Sequence, residues 1–164
     1  MKMINSLKIA ALTILISFNL YGEDNYLNID AKHFESNEKK QTMIFKENVK
    51  MTKNKDILLS QHLLINTQPS KNNPKKQIPK NYKATGDVSF VIHTANNILK
   101  GKGDTLYYYP QDQKYIIVGN GYLEDKEGKK LYADKIYIDE KTGHTKIDGD
   151  TNKPAKFRLK LNEE

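Results

Sequence analysis

The chain has no cysteine and no tryptophan. Without cysteine no disulfide staples the fold, and no lipid is attached through a thiol. Without tryptophan the strongest stacking surface for a sugar ring is missing, which weighs against a carbohydrate platform. Metal-ligand spacing is missing as well. The four histidines, His33, His62, His93 and His144, stand in unrelated contexts and none is spaced from an acid as a zinc ligand would be. Ser60 and Ser89 have no nucleophile-elbow context, and Gly101-Lys102-Gly103 lacks the rest of a phosphate loop. Asp148-Gly149-Asp150 lacks the further oxygen ligands of a calcium loop and reads as a turn. No catalytic residue, metal or cofactor is expected, so the chain is read as a non-enzyme. A pair of carboxylates meeting in space leaves one enzymatic alternative open, a glycan-cleaving module.

Concentrated charge is also absent. The formal net charge is +7, but the lysines are spread over the chain rather than gathered into a basic arm. Nucleic acid is therefore not an expected partner. A modest positive field suits an anionic lipid or glycolipid.

A long apolar run occurs only at the start. Lys2 and Lys8 stand before the apolar stretch Ile9–Leu20, and the small residue Gly22 precedes the polar Glu23-Asp24-Asn25. Residues 1–22 therefore read as a secretory signal peptide, cleaved near Gly22. The apolar stretch falls short of the roughly 20 residues of a membrane span; retention as an anchor is the alternative. Residues 23–164 are then a single domain in the periplasm, long enough to bury a core.

What the chain has in abundance is period-2 alternation, the mark of half-buried strands. It is clearest from Tyr115 to Asp139. Ile117 and Leu123 lie either side of a kink at Gly119-Asn120-Gly121, Asp125-Lys126-Glu127-Gly128 turns the chain, and Ile136 and Ile138 continue the apolar face. The unit recurs. Gly103–Tyr109 resembles Ala133–Asp139, and the kink returns as Glu47-Asn48-Val49, Gly86-Asp87-Val88 and Gly149-Asp150-Thr151. A spacing of roughly 30 to 40 residues marks stacked or rolled repeats.

Alternation assigns the inward positions. They are Leu27 and Ile29, then Phe34, then Met43, Phe45, Val49 and Met51. Leu63 and Ile65 follow, then Val88 and Phe90, then Leu106 and Tyr108. One cross-strand column is expected to hold Phe34, Leu63, Leu106 and Ile136, and its neighbour Ser36, Ile65, Tyr108 and Ile138. Residues 68–81 interrupt the pattern with Pro69, Pro74 and Pro79 among lysines, and read as an exposed insertion rather than a strand. Phe157, Leu159 and Leu161 alternate with Arg158 and Lys160 as a terminal edge strand.

Ala84-Thr85-Gly86-Asp87-Val88, the segment Ile117–Leu123 and the segment Ala133–Asp139 also carry a family resemblance. With the export signal, they resemble the OstA-like domain family of the lipopolysaccharide-transport system, and within it the periplasmic bridge component. The sequence departs from the family pattern at Ala31-Lys32-His33-Phe34 and Ser60-Gln61-His62-Leu63, which lack the usual acid, and in its long basic insertion. The resemblance implies an all-β, open twisted β-jellyroll. It implies that the inward residues above line a groove for the lipid A acyl chains of lipopolysaccharide. It also implies head-to-tail self-association and joining to LptC-like inner-membrane and LptD-like outer-membrane domains. Leu27 and Ile29 at one end and Phe157, Leu159 and Leu161 at the other are the candidate edges. The alternatives are a membrane-anchored relay of the same fold, or a β-roll glycan-binding module.

Overall fold

Alternating side chains commit the chain to strands, and short turns rich in Asn, Asp and Gly connect them in sequence. A computed structural model describes residues 26–161; the expected signal peptide at 1–22 lies outside the described residues. The described chain forms ten antiparallel strands in one sheet. They are β1 (Leu27–Asp30), β2 (His33–Asn37), β3 (Thr42–Lys53), β4 (Asp56–Pro69), β5 (Gln77–His93), β6 (Ile98–Tyr109), β7 (Lys114–Glu124), β8 (Lys130–Asp139), β9 (His144–Asp148) and β10 (Lys156–Arg158). β3 to β8 form an uninterrupted meander. β1 and β2 share the outer edge of β3, and β9 and β10 share the outer edge of β8. The two edges do not pair with each other, so the sheet is open. This is the expected all-β, open jellyroll architecture.

Three of the kinks read from sequence are β-bulges. Glu47 and Asn48 have φ of 64° and 53°, Gly86 and Asp87 79° and 49°, Gly119 and Asn120 77° and 49°. Each pair of left-handed residues faces a single residue on a neighbouring strand: Gln61 faces the first, Asp104 the second and Asp134 the third. A bulge bends its strand and increases local twist. Because alternate strands β3, β5 and β7 are bulged at neighbouring positions, the whole sheet bends along one line. The fourth kink differs: Gly149-Asp150 lies beyond β9, in a turn where Asp150 Oδ1 accepts the backbone N–H groups of Asn152 and Lys153.

The inward rows run across the strands as the columns require. Phe34, Phe45, Leu63, Ala84, Leu106, Ile117, Ile136 and Ile147 are successive cross-strand partners. Beyond the bulges, Ile29, Met51, Leu58, Phe90, Gly101, Leu123, Leu131 and Phe157 form a second such row. The two rows contribute to one hydrophobic core.

Two expectations change. Half of the insertion at 68–81 is strand: Thr67, Gln68 and Pro69 pair with Pro79, Ile78 and Gln77, leaving residues 70–76 as the loop. Pro79 has no N–H to give a ladder, and it sits where the register shifts between Asn66 and Thr67. At the other end β10 stops at Arg158, so Leu159 and Leu161 lie past the strand. An edge strand has a partner on one side only, and three paired residues are all that β8 holds here.

Candidate functional site

The middle of the interior is solid. Val49, Leu63, Ile117 and Ile136 are at most 1% exposed and fill the space along the bend. Space opens on either side of this plug. A cavity of about 470 Å³ is walled mainly by apolar side chains from six strands, among them Leu27, Met51, Leu58, Phe90, Leu106 and Tyr115. Its volume falls in the range of ligand sites. Toward the β8–β10 edge a second opening of about 420 Å³ is of mixed character, with Leu123, Leu131, Ile147 and Phe157 beside Asn97, Asp125 and Lys129.

The larger cavity has a polar end. Tyr108 stacks on Tyr115 with ring centroids 4.3 Å apart, and Tyr82 lies 5.7 Å from Tyr108. Burial is the first cause that raises all three phenols; Tyr82 is pushed up to about 12, with Tyr108 adding to it. Tyr115 rises furthest, the charges of Glu140 and Asp56 contributing after burial and Tyr108. Glu140 is itself raised, first by burial and then by Asp56. Asp56 Oδ1 accepts the backbone N–H of His93 at 2.7 Å and lies 3.2 Å from its Nδ1. Burial thus keeps the three phenols protonated at neutral pH, while Lys53 and Asp56 also border the cavity.

The expected interior residues divide into three groups. Leu27, Met51, Phe90, Leu106 and Tyr108 border the larger cavity, and Leu123 borders the second. Val49, Leu63, Ile65, Val88, Ile117, Ile136 and Ile138 are buried in the packed core. Ile29, Met43 and Phe45 are half-buried against it, while Phe34 is 61% exposed at the β2 edge and stacks on Phe45 at 4.9 Å. Of the edge candidates, Leu27 and Ile29 lie on β1 and Phe157 on β10, whereas Leu159 and Leu161 are exposed beyond it. Leu58, Ile78, Pro79, Tyr82 and Ala84 also line this cavity, outside the inward positions that alternation assigns, and so does Ile92, in phase with Val88 and Phe90. Tyr82 and Ala84 share the i, i+2 phase of their strand and were legible on that signal; the prolines and lysines before them hid Ile78.

A family model described as LptA/(LptD N-terminal domain) LPS transport protein matches residues 28–144. The matched segment contains all three bulges and most of the larger cavity's wall. No curated protein sequence matches the chain. The crystal structure of LptH, the LptA homologous periplasmic component of the lipopolysaccharide transport device of Pseudomonas aeruginosa, has the same fold. The TM-score is 0.71 at 13% identity, over 85% of this chain and 98% of that one. Matched over most of its length, the chain belongs to the LptA/LptD N-terminal domain family of lipopolysaccharide transport proteins, which are transport components and not enzymes.

Proposed function

We propose that this chain is a periplasmic carrier that holds lipid A acyl chains in the cavities beside the central plug and hands lipopolysaccharide from the inner toward the outer membrane. The observation that carries this reading is the open apolar space of about 470 Å³ inside a sheet of a lipopolysaccharide-transport family. Each methylene moved from water into such a wall gains about 0.8 kcal/mol. A carrier needs affinity similar to that of its neighbours, so that lipid passes along a nearly level path and an upstream motor sets direction. No side chain needs to make or break a bond.

The open edges suit assembly by strand addition. The free side of β1 and the free side of β10 are different surfaces, so pairing one with the other makes a head-to-tail chain rather than a closed dimer. The same two edges would receive an LptC-like domain at the inner membrane and an LptD-like domain at the outer membrane. Export through a cleaved leader at residues 1–22 places the carrier between them.

A photo-crosslinking amino acid tests the tenant. At Phe90 or Leu106, on the cavity wall, it should label lipopolysaccharide; at Lys126, in the exposed β7–β8 turn, it should not. Equal labelling at all three positions contradicts an internal site.

A further inference from the structure

The hairpin of β4 and β5 reaches past the strands on either side of it. On one side β3 extends only to Thr42, opposite Asn66. On the other, the β6 ladder ends with Tyr108 opposite Tyr82, and Pro110 follows the strand with no N–H to extend it. Beyond these points the hairpin has only itself: Thr67, Gln68 and Pro69 face Pro79, Ile78 and Gln77. The register shift leaves Lys80 without a partner at the base of this extension. A two-stranded hairpin is marginal in water when nothing else holds it.

The base is fixed. Asn66 Nδ2 donates to Asn81 Oδ1 at 2.7 Å, and the Thr67 N–H donates to the Gln41 carbonyl at 2.8 Å. Further out, one side chain reaches the extension. Gln111 Nε2 donates to the Pro79 carbonyl at 2.7 Å, across the gap that β6 leaves. Gln111 is held in turn, because its own carbonyl accepts Lys141 Nζ at 2.7 Å from the turn between β8 and β9.

The extension lies over the larger cavity. Half-buried Ile78 and Pro79 line it beside Pro110 and Gln111. Lys53, Asp56 and Ile57 line it from the other side of the bulge line. Strand ends from the two bent halves therefore meet across the cavity on its side away from the bend.

We infer that residues 77–79 are a strap across that open side, that Gln111 is the positioning residue that holds the strap down, and that a tenant's hydrocarbon enters and leaves sideways when the strap lifts. This rests on the reading of the interior as an acyl-chain carrier. The unpaired Lys80 is the hinge, between a fixed base and a lightly held strap. One hydrogen bond between neutral groups shifts an opening equilibrium by about fivefold, enough to favour closure without locking it. Lys71, Lys75 and Lys76 on the hairpin tip are already in solvent, so lifting the strap moves no charge out of water. A strap acts on both directions: entry and exit change by one factor, and the dissociation constant stays put. A residue that only touches the tenant changes exit alone.

The chain has no cysteine, so introduced thiols stand alone. The test bridges the Pro79→Cys, Gln111→Cys double variant with a short reducible thiol crosslinker and follows a fluorescent polyene fatty acid by stopped flow. Bridging should slow entry and exit together by at least about tenfold, and reducing the bridge should restore both. Gln111→Glu keeps the shape but sets an acceptor against the Pro79 carbonyl. It should speed entry and exit about fivefold with an unchanged dissociation constant, and quicken hydrogen exchange at Gln77 and Ile78 by a like factor while Leu63 and Ala84 stay protected. Rates indifferent to the bridge, rates unchanged in Gln111→Glu, or a change in exit alone overturn the strap and leave the carrier reading intact. Failure of the unmodified chain to bind the fatty acid overturns both.

Discussion

At the scale of single residues, the interior is tuned by closeness of approach. Gly101 lies under the ring of Phe90: a Cβ there would come within 2.0 Å of Cζ. Glycine lets the aromatic lie flat across the strand and shape the cavity wall. Gly101→Ala should push Phe90 off its seat and cost about 1–3 kcal/mol, measured by urea denaturation. Ile136, wholly buried in the plug, reports on packing instead: Ile136→Ala should cost about 2–5 kcal/mol. The buried phenols give a pH signature. A phenol whose folded pKa lies above its unfolded value near 10 favours the proton-bound folded state. That stability is complete below pH 10 and is lost as pH rises through the folded value. Melting temperature should therefore fall above about pH 10, and Tyr115→Phe should shrink the fall. A melting curve that stays flat to pH 12 contradicts the burial of these groups.

At the scale of elements, the bulges decide the shape. Gly119 has φ +77°, and a Cβ there would meet Asp104 Oδ2 at 2.3 Å. Gly119→Val combines an unfavourable left-handed backbone with this contact, and should cost at least about 1–3 kcal/mol in thermal or urea unfolding. Asn120→Gly, which keeps the conformation accessible, should cost far less. The bulges at Gly86-Asp87 and Gly119-Asn120 were legible in the sequence because left-handed backbone selects Gly, Asn and Asp, and two such residues in succession leave a visible mark; Glu47-Asn48 carries only one. The inward columns were legible for the same kind of reason: a pleated strand forces a period of two. Two features were hidden. Pro79 occupies a register shift, where a missing N–H costs little, so its presence near the end of a long hairpin did not mark a loop. The length of β10 depends on a single partner strand, and nothing local to Leu159 or Leu161 ends it. Whether the interior is filled or hollow was also beyond the sequence, because that depends on how far apart the bent halves stand. The structure answers with a plug at Leu63, Ile117 and Ile136 and open space to either side.

At the scale of the whole molecule, an open sheet presents two dissimilar edges, and long unprotected edges invite pairing. In this chain β1 and β10 are short, and lysines flank them. Removing the chain from Lys156 onward should reduce self-association in sedimentation velocity, because it deletes one of the two complementary edges. An unchanged distribution of oligomers takes β10 out of the assembly. The same deletion also removes Phe157 from the wall of the second opening, so lipid retention and self-association are best followed together.

The account turns on whether hydrocarbon enters the cavities beside the plug. Calorimetric titration with a series of single-chain phospholipids, each one methylene longer and each below its micelle concentration, asks this directly. Transfer at about 0.8 kcal/mol per methylene predicts roughly fourfold tighter binding at each step until the cavity is full. A dissociation constant that does not change with chain length contradicts it.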